Sequence, residues 1–335
     1  MKRIIVMLLA ATILFATAPS VSAKTIKIGT IAPTGSVWYE AIRDMAEAWT
    51  KASGGEIDFK IYAGGVAGDE PDLVRKMRIG QLHAAILTVE GLADIAPEVL
   101  AVQTSMTFAS DEELEYVQEH MAPMLEAIME NRGFKVLNWG NVGWARFFAK
   151  KPVVSPEDLK PLRLFLWSAD DAYIEAWKAA GYHPVSLAAT DMHTALQSGL
   201  VEAFATPPLA ALSFQWFALA PHMTGIRWAP LPGATVITKS VWDSFPDDVK
   251  PALLAAAREA GEYLQREVRK LDDEAIEVMK KHGLVVHRVP PELVPQWERS
   301  TRAGSDKLIG SLVPPEAAAE VARLREEYRN LHRGQ

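Results

Sequence analysis

The first apolar positions after residue 23 follow the spacing of a β-strand and then that of a helix. From Lys24 to Ala32 the isoleucines Ile26 and Ile28 alternate with polar residues, which is the pattern of a half-buried strand. The next segment carries its apolar residues three or four positions apart, at Trp38, Ile42, Met45 and Trp49. This spacing predicts an amphipathic helix that ends at the Gly54-Gly55 pair.

The same alternation continues beyond Gly55. Strands are predicted over 57–62 and 83–89, with a helix over 70–79 between them. A charged helix is predicted over 111–131, with Ser110 as its N-cap. Strands that alternate with helices predict βαβ units and a mostly parallel sheet, which places the protein in the α/β class.

A second α/β block follows the charged helix. Its predicted strands are 136–139, 145–149, 162–167, 185–187 and 202–206, and its predicted helices are 169–180 and 191–198. A further strand, 234–238, is expected to return to the first domain.

The longest predicted element is a helix from about Asp247 to His282. Apolar residues recur there every three or four positions, from Val249 to Val278. At 1.5 Å per residue such a helix measures about 50 Å, so we expect it to span both domains. Gly261 is its one interior residue of low helix propensity.

The N-terminus has the pattern of a secretory signal. Lys2-Arg3 precedes an apolar run from Ile4 to about Ala18, and Val21-Ser22-Ala23 offers the small residues that a signal peptidase recognises. We predict cleavage after Ala23, which leaves 312 of the 335 residues, and a periplasmic location. An uncleaved N-terminal anchor is the alternative interpretation.

Composition narrows the function classes. The chain has no cysteine, which excludes disulfides, a thiol nucleophile, cysteine-ligated zinc and a lipidated cysteine. A net charge of −7 without basic blocks argues against nucleic-acid binding.

The sequence also lacks the common catalytic patterns. It contains no P-loop, GxGxxG, GxSxG or HExxH motif, and its eight histidines show no metal-ligand spacing. The pairs Asp170-Asp171 and Asp272-Asp273 are chain neighbours, which do not share a helix face and so do not form a carboxylate dyad. We therefore predict no enzyme activity, no metal and no cofactor.

Four segments, in order and spacing, carry a family resemblance. They are 62–70 (YAGGVAGDE), 77–86 (MRIGQLHAAI), 151–164 (KPVVSPEDLKPLRL) and 194–203 (TALQSGLVEA). Together they resemble the DctP-type periplasmic solute receptors of TRAP (tripartite ATP-independent periplasmic) transporters, from about Lys24 to the C-terminus.

The resemblance implies a fold and a function. The fold is two-lobed and periplasmic-binding-protein-like (type II), with lobe 1 at about 24–145 plus 231–260 and lobe 2 at about 146–230 plus 261–335. The receptor is expected to close around a small organic ligand and deliver it to the membrane subunits of a TRAP permease. A receptor of another transporter class, a periplasmic lipid carrier or scaffold, and an enzyme are the alternatives.

At two places the chain departs from the family pattern. The position of the family's carboxylate-binding arginine is Phe165, while Arg163 matches the lysine that precedes it. In the second element the usual amide is Thr206 and the usual glutamine is Phe204. A phenyl ring cannot pair a buried carboxylate, so we expect an apolar or bulky ligand.

The predicted ligand-binding residues combine these positions with others that the resemblance places near the cleft. They are Trp38, Tyr39, Glu90, Trp144, Arg146, Phe165, Trp167, Phe204 and Thr206. Arg146 lies near the place of a second ligand-facing arginine, and with it the ligand could be a monocarboxylate; a surface salt bridge is the alternative role. For each aromatic residue the alternative is a place in the hydrophobic core.

Overall fold

The computed structural model describes residues 23–167 and 170–333. The predicted signal segment therefore lies, except for Ala23, outside the described residues. Within the described part of the chain, no helix is long and apolar enough to cross a membrane.

The described residues form ten strands, most of them short. They are β1 (Lys24–Gly29), β2 (Ile57–Tyr62), β3 (Ala84–Thr88), β4 (Phe134–Ala149), β5 (Arg163–Leu166), β6 (His183–Ser186), β7 (Ala203–Thr206), β8 (His222–Thr224), β9 (Ala229–Thr238) and β10 (Val285–His287).

Twelve α-helices are found among the described residues. They are α1 (Val37–Ala52), α2 (Glu70–Arg78), α3 (Val89–Ala93), α4 (Asp111–Asn131), α5 (Pro156–Leu159), α6 (Asp171–Ala179), α7 (Met192–Ser198), α8 (Pro208–Ser213), α9 (Lys239–Asp243), α10 (Lys250–Lys281), α11 (Val294–Leu308) and α12 (Pro315–Leu331). A 3-10 helix at Pro97–Gln103 lies between α3 and α4.

The strands form two sheet regions in the order β2-β1-β3-β9-β4-β7-β5-β6. In the first region β1 is parallel to β2 and β3, and in the second β5 is parallel to β6 and β7. The long strands β4 and β9 run antiparallel to each other between the two regions. Strand β8 pairs with β4 and β10 beside the second region.

Strand β4 belongs to both regions. Residues 134–145 pair with β9, and residues 146–149 pair with β7. The sequence pattern predicts two separate strands here, 136–139 and 145–149, and this prediction is wrong. Gly140 and Gly143 interrupt the apolar pattern, but pairing with β9 keeps the backbone extended through them, with register shifts next to Asn138 and Gly143.

Helix α10 confirms the predicted domain-spanning helix. Its 32 residues measure about 48 Å, and its buried face reaches two cores. Leu253 and Ala257 pack with the first sheet region, while Leu264, Val268 and Met279 pack with the second. The mixed α/β class predicted from the sequence is also confirmed.

The C-terminal helix α12 returns to the first region. The sequence-based division placed it in lobe 2, but its buried residues Ala317, Val321 and Leu324 belong to the same core as Leu114 and Val117 of α4. Its apolar face therefore covers α4.

Candidate functional site

The two sheet regions face each other across a cleft. Two adjoining cavities form it, and they share Ile31, Thr88, Val142, Ala210 and Phe214. The cleft lies beyond the carboxyl ends of β1 and β3 on one side and of β5 and β7 on the other. The carboxyl ends of parallel strands are where α/β sheets most often bind ligands.

Eight aromatic side chains line one cavity. Phe147 and Phe165 are two of them, and we call the other six, all from the second region, the aromatic wall. They are Trp167, Tyr173, Trp177, Phe214, Trp216 and Trp228. Phe214 stacks on Trp216 with ring centroids 4.7 Å apart, and Trp177 lies 5.7 Å from Trp228. The rings support one another, so the wall is a preformed apolar surface.

Glu90 is an acidic residue on the opposite side of the cleft, in the first sheet region. It lies in the first turn of α3, which begins at the N-cap Thr88, and it lines the same cavity as the aromatic wall. The Nε2 of Gln103 lies 3.5 Å from its Oε1. Burial raises the pKa of Glu90 to about 7, and the nearby Asp94 and Asp69 add to the shift.

Glu70 positions the turn that carries Glu90. Its buried carboxylate accepts hydrogen bonds from the backbone N–H and hydroxyl of Thr88 and from the N–H of Gly91, at 2.9–3.0 Å. Burial nevertheless raises the pKa of Glu70 to about 8, because desolvation outweighs these hydrogen bonds. A Cβ at Gly91 would lie 2.8 Å from the Glu70 side chain, so glycine permits this close contact.

Asp69 connects the two sides of the cleft. Its Oδ2 accepts hydrogen bonds from Trp167 Nε1 and from the N–H of Ala189, both at 2.9 Å. Its Oδ1 is buried and has no hydrogen-bond partner among the described residues. The neighbouring Gly65 also faces the second region, since a Cβ there would lie 2.6 Å from Thr190 Cγ2.

Five of the nine predicted site residues line the cleft. They are Trp38, Glu90, Phe165, Trp167 and Thr206. Phe165 is 7% exposed at the carboxyl end of β5, and the buried Nε1 of Trp38 has no hydrogen-bond partner among the described residues.

The other four residues lie elsewhere. Phe204 is fully buried between Phe148 and Trp216, whose ring centroids are 5.3 and 5.6 Å from its own. Tyr39 is part of α1 but lines neither cavity. Trp144 donates from Nε1 to Asp111 Oδ1 at 2.5 Å.

Arg146 also lies outside the cleft lining. It is opposite Thr206 in the pairing of β4 with β7, and the charged groups near it are Asp272, Asp273 and Arg227. Its Nε is buried without a hydrogen-bond partner in the described part of the chain. Desolvation lowers the pKa of Arg146 and raises that of Asp272 to about 6.

The ionisable carboxyl groups that line the cleft therefore have no basic side chain beside them in the lining. Glu70 and Glu90 are acidic lining residues, and no Lys, Arg or His within residues 23–167 and 170–333 lines either cavity. The sequence patterns did not point to Asp69, to Glu70 or to the wall residues Tyr173, Trp177 and Trp228. Asp69 and Glu70 stand in the quoted segment 62–70, but their partners 18 to 120 residues away appear only on folding.

Comparison with known proteins identifies the family. Residues 28–309 match the model of the bacterial extracellular solute-binding proteins, family 7, called DctP. The chain belongs to the DctP family. This is a family of solute-binding proteins rather than of enzymes, and its members are periplasmic.

One relative of the chain is named for the acids that it binds. The C4-dicarboxylate-binding periplasmic protein DctP of Rhodobacter capsulatus is 24% identical over 295 residues, covering 84% of this chain and 85% of the relative.

Solved structures share the fold. The sugar acid binding protein of Advenella mimigardefordensis, in complex with galactonate, superposes with a TM-score of 0.85 at 17% identity, covering 91% of this chain and 99% of that one. A TRAP periplasmic solute binding protein of Sulfurospirillum deleyianum, with bound succinate, gives a TM-score of 0.83 at 19% identity, covering 90% and 100%. This DctP-family chain therefore has the fold of TRAP periplasmic solute-binding proteins.

Proposed function

We propose that the protein is an exported receptor that captures a small, largely apolar organic ligand between two lobes and delivers it to a TRAP-type permease. The signal segment directs export and is removed by cleavage after Ala23. Lobe 1 comprises about 24–145 plus 231–260 and the helix α12, and lobe 2 comprises about 146–230 plus 261–314. Ligand binding between them favours the closed arrangement.

One observation supports the apolar ligand above all. Phe165 occupies the position of the family's carboxylate-binding arginine, and it lies in a cleft whose described lining contains no basic side chain. A carboxylate enclosed there would have no cation to pair with, which costs several kcal/mol. An apolar body, in contrast, would replace water along the aromatic wall.

The Asp69 bridge supports closure across this cleft. Both groups that donate to Asp69 Oδ2, the Trp167 indole and the Ala189 amide, come from lobe 2, while Asp69 comes from lobe 1. A ligand that packs against Trp167 would therefore contact a residue that forms an interlobe hydrogen bond with Asp69. This is how binding energy can favour the closed arrangement.

Calorimetry with the Phe165→Arg variant tests the ligand class. We expect the wild type to bind 3-phenylpropanol better than succinate or galactonate, and Phe165→Arg to gain affinity for the two acids. Leu200→Arg is the matched control, because it adds the same charge at a position that is 53% exposed and outside the cleft. Tight succinate binding by the wild type, with no gain in Phe165→Arg, would contradict the apolar cleft.

Delivery to a permease needs a separate experiment. Proteoliposomes that contain the cognate TRAP membrane subunits should accumulate a radiolabelled ligand only when the receptor is added outside. Accumulation that is independent of the receptor would refute the delivery step but not the binding.

A further inference from the structure

The acidic side chains of the cleft lie on its lobe 1 side. Glu90 and Glu70 line it, and Asp69 lies against Trp167 of the wall. The solved relatives described above hold galactonate and succinate, both of them acids. An acid in this cleft would instead face carboxylates.

Glu90 and Asp69 differ from Glu70 in their hydrogen-bond partners. Glu70 accepts hydrogen bonds from three donors, the N–H and hydroxyl of Thr88 and the N–H of Gly91, so its carboxyl group has its partners within the protein. Glu90 has the 3.5 Å contact with Gln103, and Asp69 Oδ1 is buried without a partner among the described residues. Buried carboxylates are normally paired, so the arrangement favours a positive group brought by a ligand.

The aromatic wall favours the same kind of group. The faces of Trp, Tyr and Phe rings attract cations, and several such rings around one acidic residue form a recurrent site for ammonium groups. Tyr173 of the wall is close enough to Glu90 to interact electrostatically with it. The acid and the rings therefore meet in one cavity of about 100 Å³, lined by both.

We propose that the ligand of this receptor is an organic amine, whose ammonium group binds Glu90 and whose apolar body lies on the aromatic wall. This inference rests on the proposed receptor function. Arg146 does not oppose it, because this guanidinium lies outside the lining and near Asp272 and Asp273.

The proposal predicts a pH dependence. The pKa of Glu90 is raised to about 7, and the groups that act on it are Gln103, Asp94 and Asp69, with Tyr173 facing it from lobe 2. A primary amine stays protonated below about pH 10, so the charge changes between pH 6 and 8 are those of Glu90 and, toward pH 8, of Glu70, whose pKa burial raises to about 8. Amine binding should therefore strengthen as the pH rises through 7.

A matched series of ligands tests whether the positive charge of the ligand strengthens binding. The wild type is titrated by calorimetry with 3-phenylpropylamine, 3-phenylpropanol and 3-phenylpropionate, which share one apolar body. We expect the amine to bind about tenfold or more tighter than the alcohol, and the acid to bind weakest. Glu90→Gln should remove the amine preference and its pH dependence while leaving the affinity for the alcohol within about twofold of the wild type.

Two further variants serve as controls. Glu47→Gln removes the charge of an exposed acid on α1 and should leave amine binding unchanged. Glu90→Asp keeps the charge and should keep the pH dependence.

Each outcome distinguishes this inference from the proposed function. If the acid binds more tightly than the amine, and Arg146→Gln abolishes that binding, the amine inference is overturned while the receptor function stands. Equal binding of amine and alcohol, unchanged in Glu90→Gln, overturns it as well. If none of the three probes binds, the ligand that is released from the purified protein is identified by its mass. A neutral or anionic ligand would refute the inference. If no compound is bound or released, the proposed function fails first.

Discussion

Gly261 lies where helix α10 crosses strand β4, between the two cores. A Cβ added there would lie 2.8 Å from Asn138 Cβ and 2.9 Å from the backbone oxygen of Trp139. Neither distance is tolerated by real Cβ atoms, and the Trp139 oxygen is part of a paired strand. The substitution Gly261→Ala therefore has to move the helix away from β4.

Three contributions give the size of the effect. Replacing a helical glycine by alanine normally stabilises by about 1 kcal/mol. Overpacking a tight contact costs about 1–3 kcal/mol. Moving α10 also weakens the buried hydrogen bond from Asn138 Nδ2 to Ala257 O, 2.7 Å long, which contributes about 1 kcal/mol. The net expectation is a destabilisation of about 2 kcal/mol.

Urea unfolding followed by circular dichroism measures this difference. Gly304→Ala in α11 is the matched control, since no atom lies within 4 Å of a Cβ placed there. The control should be as stable as the wild type or up to about 1 kcal/mol more stable. If Gly261→Ala is also stabilising, the close contact between helix and strand does not restrain the protein as described.

Three further predictions concern the cleft. Asp69→Ala removes the acceptor for Trp167 Nε1 and should weaken ligand binding by about 1–3 kcal/mol, measured by calorimetry; unchanged affinity would mean that the bridge does not stabilise the closed arrangement. Gly91→Ala places a Cβ against Glu70 and should reduce amine affinity about tenfold, whereas Gly304→Ala should leave it unchanged. The stability of the wild type relative to Glu70→Gln should fall as the pH rises from about 5 to 8. The reason is that the folded pKa of about 8 exceeds the unfolded value near 4.3, so only the folded state still holds the proton there. A flat difference in urea unfolding over this range would contradict the raised pKa.

Local patterns predicted most of the regular structure. The three-to-four-residue spacing of α10 was sufficient to predict its length and its reach across two cores, because a buried helix face must be apolar along its whole course. Strand β4 was harder. Its central glycines predict an interruption of the strand. Only pairing with β9, nearly 90 residues later, keeps the strand continuous.

The candidate site was also predicted only in part. Family motifs in the sequence pointed to Phe165, Trp167 and Glu90, and these line one cavity. Arg146 and Phe204 were chosen by the same motifs but lie outside the lining.

The sequence by itself determined the α/β class and the long helix, and it predicted an apolar binding position at Phe165, because each depends on residues close together in the chain. The tertiary structure alone decided the charge of the cleft. Asp69, Glu70 and Glu90 lie within 22 positions of one another, yet their surroundings come from turns, from Trp167 and from Tyr173 of the other region. Burial and the position of basic residues set the charge balance of a site, and both depend on contacts distant in the sequence.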